Sequence, residues 1–213
     1  MSKKYILFDN DGVLVETEQY YYKANVKALA EFGIELTFDA YMEIMARGGN
    51  AWELATKEGI SKSDIDTKRL QRDIYYREYI SSENIEIAGI VDVLKKLSKN
   101  YKMGIVTTSR RVDFDLIHEK RDIVKYMDFT LCVEEYARAK PYPDPYLAGM
   151  KKFNATKEEC IVVEDSQRGL TSAVNAGIEC VVVANAFTAT HDFSLASYKI
   201  DLLQGLEALL NRI

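Results

Sequence analysis

Little in this 213-residue chain marks it for an unusual environment. Basic residues are not in excess: 28 Lys and Arg stand against 33 Asp and Glu, a net charge of -5. No surplus exists to neutralise a phosphate backbone, which argues against nucleic acid as the main partner. Cysteine is scarce. Cys132, Cys160 and Cys180 each sit in an apolar run without metal-type spacing, as buried thiols in a reduced compartment do. No run reaches the ~18 apolar residues that span a bilayer. Met1-Ser2-Lys3-Lys4 leads into a strand rather than a signal segment. No membrane partner and a cytoplasmic location are therefore expected. Repeats and low-complexity tracts are missing too. What remains is an ordinary globular composition, 47% hydrophobic and 29% charged, enough for one large domain or a domain with a smaller insert.

The stretch Tyr5-Ile6-Leu7-Phe8-Asp9-Asn10-Asp11-Gly12-Val13-Leu14 is the most informative. Four apolar residues read as a short buried strand. The strand runs into two carboxylates and a glycine. Residues two apart in extended chain share a side, so Asp9 and Asp11 can face one point while Asn10 faces away. Two close carboxylates repel, and a hard divalent cation with oxygen ligands would relieve that repulsion. An exposed Asp-Asn-Asp-Gly turn fits the stretch equally well.

From about Thr17 to Arg77 no strong strand is found. Helical spacing covers Glu16 to Phe32, Phe38 to Met45, Ala51 to Glu58 and Ser63 to Ile80, with Gly48-Gly49-Asn50 as a break. Ser61 to Asp64 reads as a helix start. This tyrosine-rich segment is expected to be a helical insert with its own small core. From Gly89 onward strands and helices alternate. Strands are expected at Tyr101 to Val106, Phe129 to Val133, Cys160 to Val163 and Cys180 to Val183. Helices are expected at Ile90 to Leu97, Arg111 to Glu119, Pro143 to Phe153, Gln167 to Ala176 and Leu202 to Leu210, with a turn at Asp122 to Tyr126. This alternation predicts an α/β fold, a parallel sheet with helices on both faces. The continuously apolar Ile161-Val162-Val163 and Val181-Val182-Val183 suit such a sheet.

In that architecture ligands bind beyond the carboxyl ends of the strands. Those ends are Asp9-Asn10-Asp11, Thr107-Thr108-Ser109 and Glu164-Asp165-Ser166. Lys140 lies between them, followed by all three prolines of the chain, Pro141, Pro143 and Pro145, which restrict its backbone. Each feature has an ordinary reading: Thr107 as a strand end, Ser109 or Ser166 as a helix cap, Lys140 as a solvated loop residue. Their conjunction at one sheet edge carries the functional reading.

With these motifs in this order, the sequence resembles the haloacid dehalogenase superfamily of phosphotransferases. The resemblance rests on Asp9 to Leu14, on Gly104-Ile105-Val106-Thr107, on Lys140-Pro141 with Pro143-Asp144, and on Glu164-Asp165-Ser166 with Gly169 and Ala176-Gly177. It spans nearly the whole chain. It is similar to the branch containing phosphoglycolate phosphatase and beta-phosphoglucomutase. The resemblance implies a doubly wound, Rossmann-like, mostly parallel core at 1–15 and 86–213, and an inserted all-α cap domain at 16–85. It implies Asp9 as the nucleophile forming an aspartyl-phosphate and Asp11 as general acid and base. It implies Mg²⁺ held by Asp9, the Asp11 backbone carbonyl and Asp165, with Glu164 close by or ligating. Lys140 and the Thr107 hydroxyl would hold phosphoryl oxygens, assisted by backbone N–H groups near Thr108 and Asn10. Carbon–halogen hydrolases of the superfamily lack the second carboxylate, so Asp11 points to phosphoryl transfer.

The expected activity is a Mg²⁺-dependent phosphatase acting on a small phosphorylated metabolite, a sugar phosphate or a phosphoglycolate-like compound. The alternative is a beta-phosphoglucomutase-like phosphosugar mutase. The sequence departs from the family at Glu16-Thr17-Glu18 and at Ala88-Gly89. It also carries Tyr21 where the mutase has a cap histidine, which weakens the mutase reading. Arg47 stands in the cap's specificity loop, and Tyr21 and Trp52 are further candidates for substrate contact or for cap core. His118 and His191 fall outside the motifs and are expected on the surface or in helices. A monomer or weak homodimer is expected.

Overall fold

The computed structural model describes residues 2–46 and 49–213. Two compact units emerge, one made of residues up to Glu16 together with Glu86–Ile213, the other of Thr17–Ile85.

The larger unit is built on six strands: β1 (Tyr5–Phe8), β2 (Lys102–Val106), β3 (Phe129–Leu131), β4 (Cys160–Glu164), β5 (Cys180–Val182) and β6 (Tyr198–Lys199). Their order is β3-β2-β1-β4-β5-β6, and every pairing is parallel. Chain order reverses on the two sides of β1, so the carboxyl end of β1 is the switch point of a doubly wound sheet. The register is level there: Phe8 lies opposite Ile105 of β2 and Val163 of β4. The residues that follow these strands therefore emerge along one edge.

Burial explains which segments became strands. Every residue of β4 and of β5 is buried. Such continuous apolar runs suit a sheet covered on both faces. The covering helices are α5 (Ile90–Leu97), α6 (Arg111–His118), α7 (Asp144–Lys152), α8 (Gln167–Asn175) and α9 (Leu206–Leu210). One core layer joins Leu7, Val106, Tyr146, Val162, Leu170 and Val182. The expected strand at Phe129 to Val133 stops at Leu131, because Val133–Glu135 turns into a short 3-10 helix. The expected helix from Leu202 likewise opens with a 3-10 turn, Leu203–Gly205. β6 has only two residues and no apolar run, and periodicity gave no sign of it.

The smaller unit contains α1 (Glu18–Ala30), α2 (Phe38–Ala46), α3 (Glu53–Lys57) and α4 (Lys62–Ser82). Ser61 starts α4 as expected, accepting the Asp64 N–H at 3.1 Å. α1 packs along α4. Tyr21 stands edge-on to Tyr76, ring centres 5.5 Å apart, and the Arg72 guanidinium lies 4.4 Å from the Tyr21 ring centre. Arg72 is buried and bonded to Asp73 and to Asn25. Trp52 is buried within this unit. Arg47 lies outside the described residues.

The two chain crossings meet in the larger unit, where Val15 and Glu86 form an antiparallel bridge. Inside the sheet, Gly104 of β2 is a packing requirement. A Cβ there would lie 2.5 Å from two carbons of the Phe129 ring. Gly104→Ala is expected to destabilise the protein by about 1–3 kcal/mol, the usual cost of overpacking. Denaturant unfolding curves of parent and variant measure it; equal midpoints would contradict the packing account.

Candidate active site

The edge beyond β1, β2 and β4 is where the acidic, hydroxyl and cationic side chains converge. Lys140, on the loop before α7, reaches back into the sheet edge and is 5% exposed. Its Nζ lies 2.8 Å from Asp9 Oδ1 and 2.7 Å from Glu164 Oε1, and donates to the Val106 carbonyl at 3.0 Å. Burial lowers the lysine's affinity for its proton, but the two carboxylates outweigh burial and hold the amine above its ordinary value. The solvated-loop reading of Lys140 is excluded by this geometry.

Glu164 is fully buried and accepts five hydrogen bonds. Oε1 takes Lys140 Nζ and the Tyr146 hydroxyl at 2.6 Å; Oε2 takes the Asp165 and Ser166 N–H groups and the Ser166 hydroxyl. Burial would raise its carboxyl, yet Lys140 and these donors bring it below the usual carboxylate range. The approach depends on Gly169, where a Cβ would sit 1.7 Å from Glu164 Oε1. Ser166 also caps α8, accepting the Gly169 N–H at 3.1 Å. The capping reading and the site reading of this motif are both true.

Asp9 is 8% exposed, and its carboxyl is pushed up to about 7, first by burial, then by the charges of Glu164 and Asp11, against the pull of Lys140. Asp11 Oδ2 accepts the Ser109 hydroxyl at 2.7 Å and the Thr107 hydroxyl at 3.2 Å. Two hydroxyls thus fix the plane of the Asp11 carboxyl. Thr107 in turn accepts the Ser109 N–H, so the Thr107–Ser109 turn is tied to Asp11 rather than open. Thr108 stands at the rim, its Oγ1 3.4 Å from Arg168 Nη2.

Carboxylate oxygens of Asp9, Glu164 and Asp165 lie within 4.8 Å of one another. One oxygen-ligated divalent ion can span such a spacing. The chemistry of the set also fits: three carboxylates gather where one lysine contacts two of them, leaving negative charge for a cation to offset. Gly12 makes room beside them. It has φ +80°, and a Cβ would lie 2.0 Å from Asp165 Oδ2. The exposed-turn reading of Asp9 to Gly12 therefore does not hold.

The Asn10 side chain does face away, as expected of an extended segment, and its Oδ1 meets His118 Nε2 at 2.8 Å. His118 lies in a helix, α6, one of the two placements expected of it. It is 8% exposed, not a surface residue. With Oδ1 accepting, the ring proton is on Nε2, and Nδ1 is buried with no partner among the described residues. A second ring proton would have nowhere to bond. His191 is half-buried in the loop after β5, where its Nδ1 accepts the Gln167 N–H at 3.3 Å. Sequence reasoning also missed Tyr146 and Asn185. Asn185 lies three residues beyond β5, and the strand-end rule, applied to β5 as to β1 and β4, would have reached it.

Residues 6–183 match the haloacid dehalogenase-like hydrolase family. Among curated relatives, the phosphorylated carbohydrates phosphatase of Thermotoga maritima is 27% identical over 82% of this chain and 82% of its own length. The chloroplastic protein SUPPRESSOR OF QUENCHING 1 of Arabidopsis thaliana is 27% identical over 84% of this chain, which spans only 17% of that longer protein. Among solved structures, a mutant of CbbY from Rhodobacter sphaeroides in complex with xylulose-(1,5)bisphosphate superposes with a TM-score of 0.82. That match has 21% identity and covers 96% of each chain.

Burial keeps His118 neutral down to about 4, against 6.5 for a free histidine. Between those values the unfolded chain binds the extra proton and the folded chain does not. Stability is therefore complete above about 6.5 and falls as pH drops toward about 4. In EDTA, this acidification is expected to cost the parent protein about 3 kcal/mol more than His118→Gln. Urea unfolding at both pH values tests it, and parallel losses would exclude a buried neutral imidazole.

Proposed function

Because the chain belongs to the haloacid dehalogenase-like hydrolase family, we propose that it is a Mg²⁺-dependent phosphatase that hydrolyses a small phosphorylated metabolite through Asp9. The observation that carries this reading is the Lys140 ammonium seated between Asp9 and Glu164, beside an Asp11 held by two hydroxyls. A nucleophilic carboxylate, a second carboxyl for proton transfer and a fixed cation are the groups phosphoryl transfer needs.

Asp9 attacks phosphorus and the bond to the leaving oxygen breaks. Asp11 acts as the general acid that delivers a proton to that oxygen. The carboxylate of Asp11 then takes a proton from water, and the hydroxide displaces phosphate from Asp9. Lys140, the Thr107 hydroxyl and backbone N–H groups near Asn10 and Thr108 hold the phosphoryl oxygens as charge shifts among them. Mg²⁺ would be held by the carboxylates of Asp9 and Asp165 and the Asp11 carbonyl. When bound, it supplies positive charge that offsets the repulsion between phosphate and Asp9. Glu164 serves the site mainly by placing Lys140, since its oxygens already accept five bonds. The relief of charge also matters for Asp9 itself, whose carboxyl is otherwise raised to about 7.

The 16–85 helical segment is proposed as a cap that sets substrate choice, with Arg47 and Tyr21 as its candidate contacts, while the buried Trp52 belongs to its core. The Thermotoga maritima relative is named for phosphorylated carbohydrates and the CbbY structure holds a sugar bisphosphate, which supports a phosphorylated sugar as substrate. Three free, buried cysteines suit a cytoplasmic setting.

The test is a screen of phosphate esters with Mg²⁺ and with EDTA. Turnover is expected with Mg²⁺ and is expected to vanish in EDTA. Asp9→Asn should abolish turnover while leaving a folded protein by circular dichroism; an active Asp9→Asn would remove Asp9 from the nucleophile's role. Lys140→Ala should lower kcat/KM by at least about a hundredfold, the scale of losing a charged transition-state contact.

A further inference from the structure

We propose that Asn185, on the loop after β5, is a positioning residue that holds Asp165 in place to receive the divalent cation. The assignment rests on the phosphatase reading above and adds a residue to its site. Asn185 Nδ2 lies 2.7 Å from Asp165 Oδ2 and 3.4 Å from the carbonyl of Gly12, so one amide bridges the loops after β4 and β1.

The amide is locked in this direction. Asn185 Oδ1 accepts the Phe187 N–H at 2.9 Å, an Asx turn that leaves the amino end facing the carboxylate. The Asn185 N–H is bonded to Thr188 Oγ1 at 3.0 Å, and Thr188 is buried. A flipped amide would point its oxygen at Asp165 and its NH₂ at a backbone donor, losing both bonds. Close packing reinforces the arrangement: a Cβ on Gly12 would meet both Asp165 Oδ2 at 2.0 Å and Asn185 Nδ2 at 2.8 Å.

The chemistry gives this contact a purpose. Asp165 shares the acidic group with Asp9 and Glu164, and like charges favour swinging its carboxylate away. A neutral donor on Oδ2 resists that rotation without adding charge that would compete with the cation. Outer partners of metal-binding carboxylates typically contribute 10- to 100-fold in metal affinity, about the range expected here.

Asn185→Ser isolates the role. A serine hydroxyl can still accept the Phe187 N–H and keep the turn, but it is too short to reach Asp165. Calorimetric titration with Mg²⁺ alone, without substrate, should show binding about tenfold weaker than the parent. The Mg²⁺ needed for half-maximal turnover should rise by the same factor, with lost turnover recovered at high Mg²⁺. A purely structural residue would lower the melting temperature and leave the Mg²⁺ affinity of the folded protein alone. Mg²⁺ affinity within about twofold of the parent, in a folded Asn185→Ser or in the second variant Asn185→Ala, overturns the assignment. A parent protein that takes up no Mg²⁺ overturns the reading of the site itself, and a parent that binds Mg²⁺ while both variants match it overturns only the role of Asn185.

Discussion

A lysine ammonium buried between two buried carboxylates is the interaction on which this site depends. Taking three such charges out of water costs several kcal/mol per ion, and only close geometry with further hydrogen bonds offsets it. The protein supplies both: contacts of 2.8 and 2.7 Å, the Val106 carbonyl, the Tyr146 hydroxyl and the N–H groups that open α8. The balance is incomplete by design of the residues present. Two acids and one base leave a negative excess, increased by Asp11 and Asp165. Burial first, and then the charges of Glu164 and Asp11, raise the Asp9 carboxyl, and the negative excess makes the same group attractive to a cation.

The sheet delivers these groups to one edge because it is parallel and level. Strand ends in register place three successive loops side by side, and the loop carrying Lys140 closes over them. Glycine finishes the arrangement at two points. Gly12 turns the chain at positive φ against Asp165, and Gly169 lets α8 begin against Glu164. Removing a Cβ at each position is what permits carboxylates and backbone to approach so closely.

Much of this was legible in the sequence, and the parts that were not share a physical cause. β1, β4 and β5 announced themselves because strands covered on both faces are unbroken apolar runs. α5 was legible residue for residue because its buried face repeats at helical spacing. β6 left no trace, since two paired residues at an edge carry no period. Asp9, Asp11 and Asp165 were readable from position at strand ends, and Lys140 from the prolines that follow it. The supports were not. His118, Tyr146 and Asn185 act through tertiary neighbours 108, 18 and 20 residues away in the chain. A histidine on a helix and an asparagine in a loop look alike whether they face solvent or a carboxylate. Ser166 shows the converse: its helix-capping pattern was visible, and its bond to Glu164 was hidden behind it.

The antiparallel bridge between Val15 and Glu86 has an evolutionary consequence. A segment whose entry and exit are stitched together pays its loop-closure entropy at the stitch, and its length then adds little further cost. The helical insertion is thus a module at a splice point: it can be lengthened, trimmed or exchanged for another while the six strands keep their register.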